Sequence, residues 1–320
     1  VFSATGRWNP AAPACVAAVG NFDGVHVGHA TIARRLVARA GALGLPAVVV
    51  TFHPHPAAVL RPESAPAPLT TPRRRAELLA ALGVDAVLVQ PADRRLLAQE
   101  PEAFHADMLR GRLAVRGLVE GTDFRFGAGR RGDVALLERL CAADGIGLEV
   151  VPPVLHDGAP VSSSRVRGLL AGGDIATANH LLTAPYRITG SVVEGAKRGR
   201  TLGFPTANLA GITTLLPGGG VYAARARLAT DEAGTVVWPA AVHIGPNVTF
   251  GATETAVEAH LIGYRGDLYG TALHVDFLER LRDTRSFSAV PELVAQLTVD
   301  AARAAEVAAA AGPPAPPEGA

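Results

Sequence analysis

Cysteine is nearly absent from this sequence, which has two, Cys15 and Cys141. Two thiols cannot build a framework of bridges, and no Cys/His cluster stands at zinc spacing. Buried thiols in a reducing compartment, and no structural metal, are therefore expected. Long apolar runs are missing too. No stretch reaches the roughly 18 residues of a membrane span, and the opening residues lack the charged and apolar regions of a secretory signal, so a cytoplasmic protein is expected. Nor is there an excess of one charge. With 30 Lys+Arg against 29 Asp+Glu the formal charge is +1, and Lys197 is the sole lysine. Such a balance supplies no basic surface to track a nucleic-acid backbone, so any nucleotide bound here is expected to be small.

What remains is globular. Apolar types make up 48% of the 320 residues, charged types 18%, and the 35 Gly and 24 Pro stay below a low-complexity level. That length suggests two domains. Apolar runs at Cys15 to Val19, Ala47 to Phe52, Ala86 to Val89, Gly117 to Glu120 and Leu148 to Val151 read as buried strands. Helical periodicity lies between them at His29 to Leu43, Pro72 to Leu82, Glu102 to Leu113 and Gly132 to Asp144. The alternation predicts a parallel sheet with helices on both faces, whose ligands bind beyond the carboxyl ends of the strands. After about Pro185 alternating runs separated by Gly, Pro, Asn and Asp predict an antiparallel sheet or small barrel, followed by one helix from roughly Val290 into an alanine run. We place the boundary near Ala184 and expect domains over 1–184 and 185–305 with a disordered tail over 306–320.

Gly20-Asn21-Phe22-Asp23-Gly24-Val25-His26-Val27-Gly28-His29 falls between a strand and a helix start. Backbone N–H groups at a helix N-terminus favour phosphate, glycines permit close approach, and His26 and His29 can both face a bound polyphosphate. Gly20, Phe22, Asp23 and Gly28 complete this candidate ATP turn. It would stabilise charge on an α-phosphate as pyrophosphate leaves, without a covalent intermediate. In isolation the pattern also fits a tight βα turn with polar histidines. A second stretch, Val161-Ser162-Ser163-Ser164-Arg165-Val166-Arg167, opens a predicted helix with hydroxyls and two arginines. It reads as a second phosphate clamp or as an ordinary serine N-cap.

Together the two stretches resemble the nucleotidyltransferases of the His-x-Gly-His superfamily, in which the first motif and a late Ser-Ser-Thr-x-Ile-Arg motif close on one ATP. Ser164 replaces the threonine and Val166 the isoleucine. Within that superfamily the sequence resembles the bacterial bifunctional riboflavin kinases/FAD synthetases. Thr51-Phe52-His53-Pro54-His55-Pro56 is similar to their Phe-x-Pro-His-Pro, and Gly121-Thr122-Asp123-Phe124-Arg125-Phe126-Gly127 to their Gly-Glu-Asp-Phe-x-Phe-Gly, with Thr122 in place of the glutamate. The resemblance implies a Rossmann-like nucleotidyltransferase domain. In it these loops hold FMN against ATP, with His55, Asp123, Phe124 and Phe126 on the flavin side.

Gly199-Arg200-Thr201-Leu202-Gly203-Phe204-Pro205-Thr206-Ala207-Asn208 lacks the Gly-Lys-Ser/Thr of a Walker loop. Gly199, Arg200 and Gly203 could still fold over phosphates, and the Thr206 hydroxyl and Asn208 carbonyl are oxygen donors suited to Mg²⁺. Without context a β-turn with a helix cap fits as well. The run resembles the same family's flavokinase signature, Gly-Arg-x-Leu-Gly-Phe-Pro-Thr-Ala-Asn. Downstream, Val257-Glu258-Ala259-His260-Leu261 alternates as a strand and puts Glu258 and His260 on one face. A carboxylate there could take the proton of a primary alcohol attacking a γ-phosphate, and by position Glu258 matches the family's proposed base. Departures gather in this half. The family's Gly-x-Asn/Arg-Pro-Thr-Phe-Gly stands as Gly245-Pro246-Asn247-Val248-Thr249-Phe250-Gly251. Its Leu-Arg-x-Glu stands as Leu281-Arg282-Asp283-Thr284, which keeps Arg282 as a flavin candidate and loses the glutamate.

The resemblance implies a two-step enzyme using Mg²⁺ and ATP, with riboflavin, FMN and FAD as substrates and products and with no nucleic-acid or membrane partner. Two alternatives stay open. One is an adenylyltransferase whose kinase half is impaired or retuned toward a flavin analogue, on account of Pro246, Val248 and Thr284. The other is a flavin-binding regulatory protein without turnover.

Overall fold

The computed structural model of the chain describes residues 1–3, 8–9, 11, 14–195, 198–231, 236–246 and 255–312. Lys197 and Val248 lie outside them. The chain divides into two compact units, one from Val1 to Ser163 and one starting at Ser164.

The first unit is built on β1 (Phe2–Ser3), β2 (Cys15–Val19), β3 (Ala47–His53), β4 (Ala86–Pro91), β5 (Val115–Gly121) and β6 (Gly147–Val151). Their order across the sheet is β1-β4-β3-β2-β5-β6. Strands β2 to β6 are parallel, as the alternation requires, and the short β1 adds an antiparallel edge on β4. Residues of β2 alternate between two cores. Cys15, Ala17 and Val19 pack with Phe104, Met108, Leu137 and Cys141, while Val16 and Ala18 pack with Ala33, Leu36 and Leu79. A strand buried on both faces is why these segments read as continuous apolar runs.

Helices α1 (Val27–Leu43), α2 (Pro56–Leu60), α3 (Pro72–Ala80), α4 (Arg94–Leu97), α5 (Pro101–Phe104) and α6 (Val134–Ala143) connect the strands. The helix expected over Glu102 to Leu113 is not uniform: α5 gives way to a π-helical stretch over His105–Arg112, closed by Leu113 N donating to Met108 O at 3.0 Å. Its wider turn keeps Phe104, Met108, Leu109 and Leu113 all buried on one side. From β2 the chain spreads to β3 and β4 on one side, then returns to β5 and β6 on the other. The order reverses between β2 and β5, the place where open α/β sheets hold ligands. A small hairpin, β7 (Leu155–His156) with β8 (Ala159–Pro160), closes the unit.

The second unit takes in α7 (Ser163–Ala171) from Ser164 onward, and α8 (Ile175–Leu181). It therefore starts earlier than the change of rhythm near Ala184. The reason is packing: Asn179 of α8 donates to Phe277 O at 2.9 Å and accepts from Tyr186 N at 2.9 Å, and Gly218 N donates to Leu170 O at 2.8 Å. Strands β9 (Arg187–Val193), β10 (Ala207–Ala210), β11 (Gly220–Leu228), β12 (Trp238–Gly245), β13 (Ala256–Leu261) and β14 (Ala272–Arg282) form a closed antiparallel barrel in the order β10-β13-β12-β11-β14-β9. A single turn, α9 (Arg198–Thr201), precedes β10. Four-residue β10 was hidden in the glycine motif, where no long alternation announces it. Helix α10 (Val290–Ala310) packs on β11, β12 and β14. The expected tail is thus corrected: residues 306–310 are helical, because alanine favours helix and Ala304 and Ala308 are buried. Residues 313–320 lie outside the described part.

Candidate active sites

The Gly20–His29 turn leaves the carboxyl end of β2 at the switch point. Phe22, Gly24 and Val25 have φ of 47°, 83° and 41°. For a bulky and a β-branched residue such values are strained and persist only where the surroundings enforce them. His26 caps α1, its Nδ1 accepting from His29 N at 3.2 Å. A Cβ on Gly28 would lie 3.1 Å from the His26 ring, so the glycine leaves that imidazole its place. The His26 and His29 rings stack with centroids 3.7 Å apart. Burial lowers His26 to about 4, against the opposing pull of Asp123 and Asp23. Burial first, then His26 and Arg75, hold His29 well below its ordinary value. Both rings are neutral at pH 7. Because His26 Nδ1 accepts, its proton sits on Nε2, free to donate to an oxyanion. His29 Nδ1 is buried and has no hydrogen-bond partner among the described residues.

Asp23 needs correction as a phosphate ligand. Its carboxylate, 2% exposed, accepts from Leu69 N at 2.9 Å, Thr70 N at 3.0 Å and Thr70 Oγ1 at 2.9 Å, and pairs with Arg75 Nη2 at 3.2 Å. An anion so engaged holds the loop instead of meeting another anion. Ser163 Oγ donates to Asp23 O at 2.8 Å, which ties the serine motif to the same turn. Ser162 precedes it, while Ser164, Arg165 and Arg167 follow on α7 in the second unit.

On the flavin side, His55 caps α2 by accepting from Ala57 N at 3.1 Å, and its Nε2 lies 3.0 Å from the Asn21 amide. Asp123 is exposed just past β5, where a Cβ on Gly121 would come within 2.9 Å of its Oδ1. Phe124 is half-buried and stacks on Phe126 at 5.5 Å. Phe126 itself is 6% exposed, in core contact with Phe104, and a Cβ on Gly132 would lie 2.7 Å from its ring. As a flavin contact it is therefore corrected to a buried support for Phe124.

Sequence reading missed Arg75, Thr70, Thr51 and Glu120. Glu120, at the end of β5, is 2% exposed, and its Oε1 accepts from Val19 N at 2.7 Å. Burial raises its carboxyl well above the ordinary range, against that hydrogen bond. A carboxyl whose protonated form is favoured by burial thus sits at the carboxyl ends of β2 and β5, beyond the last ladder pair, Ala17 with Leu118.

In the barrel, Gly199 begins a closed loop: Phe204 N donates to Gly199 O at 2.8 Å and Leu202 N at 3.1 Å, with Gly203 at φ 86°. A Cβ on Gly199 would overlap Phe204 O and stand 3.4 Å from Thr206 Oγ1, and one on Gly195 would overlap the Asn208 amide. Bare backbone here is what lets Thr206 and Asn208 take their places. Arg200 and Thr206 are exposed. Asn208 on β10 is the ladder partner of Glu258 on β13, which is the partner of His243 on β12. The three share the outer barrel face, since the alternate residues Val257, Ala259 and Val242 are buried. His260 Nδ1 lies 2.8 Å from Pro205 O, bracing the loop.

Arg282 also needs correction. Its guanidinium grips Asp300 of α10, Nη2 to Oδ2 at 2.7 Å and Nε to both oxygens at 3.1 Å. It fastens α10 to the barrel and is not turned to a ligand. Thr284 meets His243 Nε2 at 3.4 Å. Burial, then Arg282, lower the His243 pKa. Thr284, Gly219, Gly245, Pro246, Asp283 and Arg285 line an open depression of about 670 Å³. Two of the sequence departures, Pro246 and Thr284, thus meet at one place, and β12 ends directly before Pro246.

The chain matches the FAD synthetase family model over residues 9–165 and the riboflavin kinase model over residues 182–308. The bifunctional riboflavin kinase/FMN adenylyltransferase of Escherichia coli strain K12 is 37% identical over 292 residues, 91% of this chain and 92% of the relative. That of Pseudomonas fluorescens is 38% identical over 296 residues, 92% and 93%. A crystal structure of a protein described as a macrolide-efflux protein from Streptococcus pneumoniae aligns with a TM-score of 0.81 at 29% identity, covering 96% of this chain and 97% of that one. No described helix is long and apolar enough to cross a membrane. With both halves matched and relatives aligned over nearly their whole length, the chain belongs to the bifunctional riboflavin kinase/FMN adenylyltransferase family.

Proposed function

We propose that the chain phosphorylates riboflavin to FMN and then adenylylates FMN to FAD, one step in each unit. The observation that supports this best is that each unit has its own glycine loop whose bare backbone is required by packing, at Gly28 against His26 and at Gly199 against Phe204. In the kinase step the riboflavin 5′-hydroxyl attacks the γ-phosphorus of ATP, Glu258 takes its proton, and ADP leaves. The flavin ring lies toward the depression beside Thr284 and Pro246. Thr206 and Asn208 offer hard oxygen donors, and their glycine-lined seats fit a Mg²⁺ carried by ATP. That ion would neutralise phosphate charge.

In the adenylyl step an FMN phosphate oxygen attacks the α-phosphorus of ATP and pyrophosphate departs. His26 Nε2–H and His29 donate to the charged oxygens, as does Ser162, while Ser163 holds the turn through Asp23 O and Gly20 and Phe22 shape it. His55, Asp123 and Phe124 hold the FMN. Polyphosphate beside the two imidazoles favours their protonated form, opposing burial, so each donates most strongly when charge accumulates. The test is to incubate the protein with riboflavin, ATP and Mg²⁺ and separate the products by chromatography. FMN and FAD together are expected. FAD formed only from added FMN would instead favour a silent kinase half, the reading that Thr284 and Pro246 keep open.

A further inference from the structure

Arg75 is one of three consecutive arginines with nothing to single it out, yet its guanidinium makes five hydrogen bonds. It is 5% exposed. Nη2 reaches Asp23 Oδ1 at 3.2 Å and Thr70 O at 3.5 Å, Nη1 reaches Thr51 Oγ1 at 2.8 Å and Phe52 O at 3.4 Å, and Nε reaches Thr70 Oγ1 at 3.4 Å. The chain of bonds continues, because Thr51 Oγ1 donates to Asn21 O at 2.8 Å. One planar fork therefore joins the end of β3, the segment before α3 and, at Asn21 and Asp23, the strained Asn21–Val25 turn. It also cancels a problem of charge. The Asp23 carboxylate sits in a turn proposed to receive polyphosphate, where an unpaired anion would repel it.

We propose that Arg75 is a positioning residue for adenylyl transfer: it neutralises Asp23 and fixes the Gly20–His29 turn, without itself touching the nucleotide. The inference rests on the adenylyltransferase reading above. An arginine is needed for both tasks, since a lysine supplies the charge but not the fork that spans Asp23, Thr51 and Thr70. A turn displaced by a fraction of an ångström moves His26 and His29 away from the oxygens they serve, which acts on the rate of the step more than on nucleotide affinity.

The test compares Arg75→Lys with the wild type in both reactions. Adenylyl transfer from supplied FMN should lose about 10-fold or more in kcat while KM for ATP moves less than about threefold. Riboflavin phosphorylation, in the other unit, should stay unchanged. Arg75→Gln strands Asp23 and endangers folding, so Asp23→Asn/Arg75→Gln serves as the second variant. Its melting temperature should return toward the wild-type value while the adenylyl-transfer rate stays low. A lysine variant with wild-type kcat would overturn the proposal. So would a parallel loss of both activities with the melting temperature, which marks a purely structural arginine, or a double variant whose rate recovers with its stability. Wild-type protein that makes no FAD from FMN would instead sink the proposed function itself.

Discussion

The two glycine loops of this chain, each proposed to receive ATP, are held by opposite kinds of support. The Gly20–His29 turn leaves a strand buried on both faces, opens a 17-residue helix, and is held from beneath by Asp23, Thr70, Thr51 and Arg75. Its candidate groups are a buried imidazole, His26, and a half-buried one, His29, both held neutral by desolvation. The Gly199–Asn208 loop lies on the outside of a barrel, closed by backbone bonds of its own and braced by His260. Its partners, Glu258 and His243, arrive by strand register. The first site is thus governed by desolvation and a buried ion pair, the second by the spacing of a ladder. Damage to either should remain local to its own reaction.

The largest effects should separate the halves completely. Glu258→Gln should slow riboflavin phosphorylation by roughly 10²–10⁴-fold and leave adenylyl transfer from supplied FMN intact. His29→Ala should do the reverse, with a loss of about 10²–10³-fold. Separate product assays with riboflavin or FMN as acceptor check both, and equal losses in the two reactions would break the comparison.

Acid should weaken the first unit selectively. His26 titrates at about 4 when folded and near 6.5 when unfolded. Between those values the unfolded chain takes up a proton that the folded chain refuses, so stability falls as pH drops from 6.5 toward 4, by up to roughly 3 kcal/mol. Glu120 acts in the opposite sense. Its folded carboxyl stays protonated where the unfolded one ionises, so stability is lost as pH rises above 4.5. Calorimetric melts of Glu120→Gln, which keeps an acceptor for Val19 N, should show a gain at pH 8 that vanishes toward pH 4.5. The acid loss due to His26 should then stand alone in Glu120→Gln, and a melt of that variant indifferent to pH between 6.5 and 4 would contradict the His26 shift.

Arg282→Met tests the reassigned arginine. It leaves Asp300, 4% exposed, without its main partner. A cost of about 2–3 kcal/mol to the barrel is expected, with riboflavin affinity unchanged, and Arg282→Met/Asp300→Leu should recover much of the stability. Weakened flavin binding without destabilisation would restore the flavin role. The smallest effect belongs to Gly199→Ala. The added Cβ forces the loop off Phe204 O, and a rise of about 10-fold in KM for ATP in the kinase step, equivalent to about 1.4 kcal/mol, is expected from initial rates.

Much of this architecture is legible in the sequence. Continuous apolar runs alternating with helical periodicity required the parallel sheet, and period-two alternation after Pro185 required the antiparallel one. Less legible were short elements whose support is tertiary, such as β10 within the glycine motif or the π-helical turn before β5. Among the candidate site residues the geometry of the turn glycines, His26 and His29 follows from local spacing, because their neighbours in space are largely their neighbours in sequence. That of Arg75 does not, since its partners Asp23, Thr51 and Thr70 come from three separate segments. Phe126 and Arg282 misled for the same reason: a motif letter does not say whether its side chain faces a ligand, a core or a helix.

The sequence alone determined the two kinds of sheet, the order of motifs along the chain and the chemical types available at each loop, since these depend on periodicity and residue identity. Only the tertiary structure decided which of those side chains are spent on the fold. Asp23 and Arg282 each meet a buried charge partner from a distant element, and a pair so matched holds its own loop or helix instead of a ligand. It likewise decided that His26 and His29 are neutral, because desolvation is a property of everything packed around them and of no residue by itself.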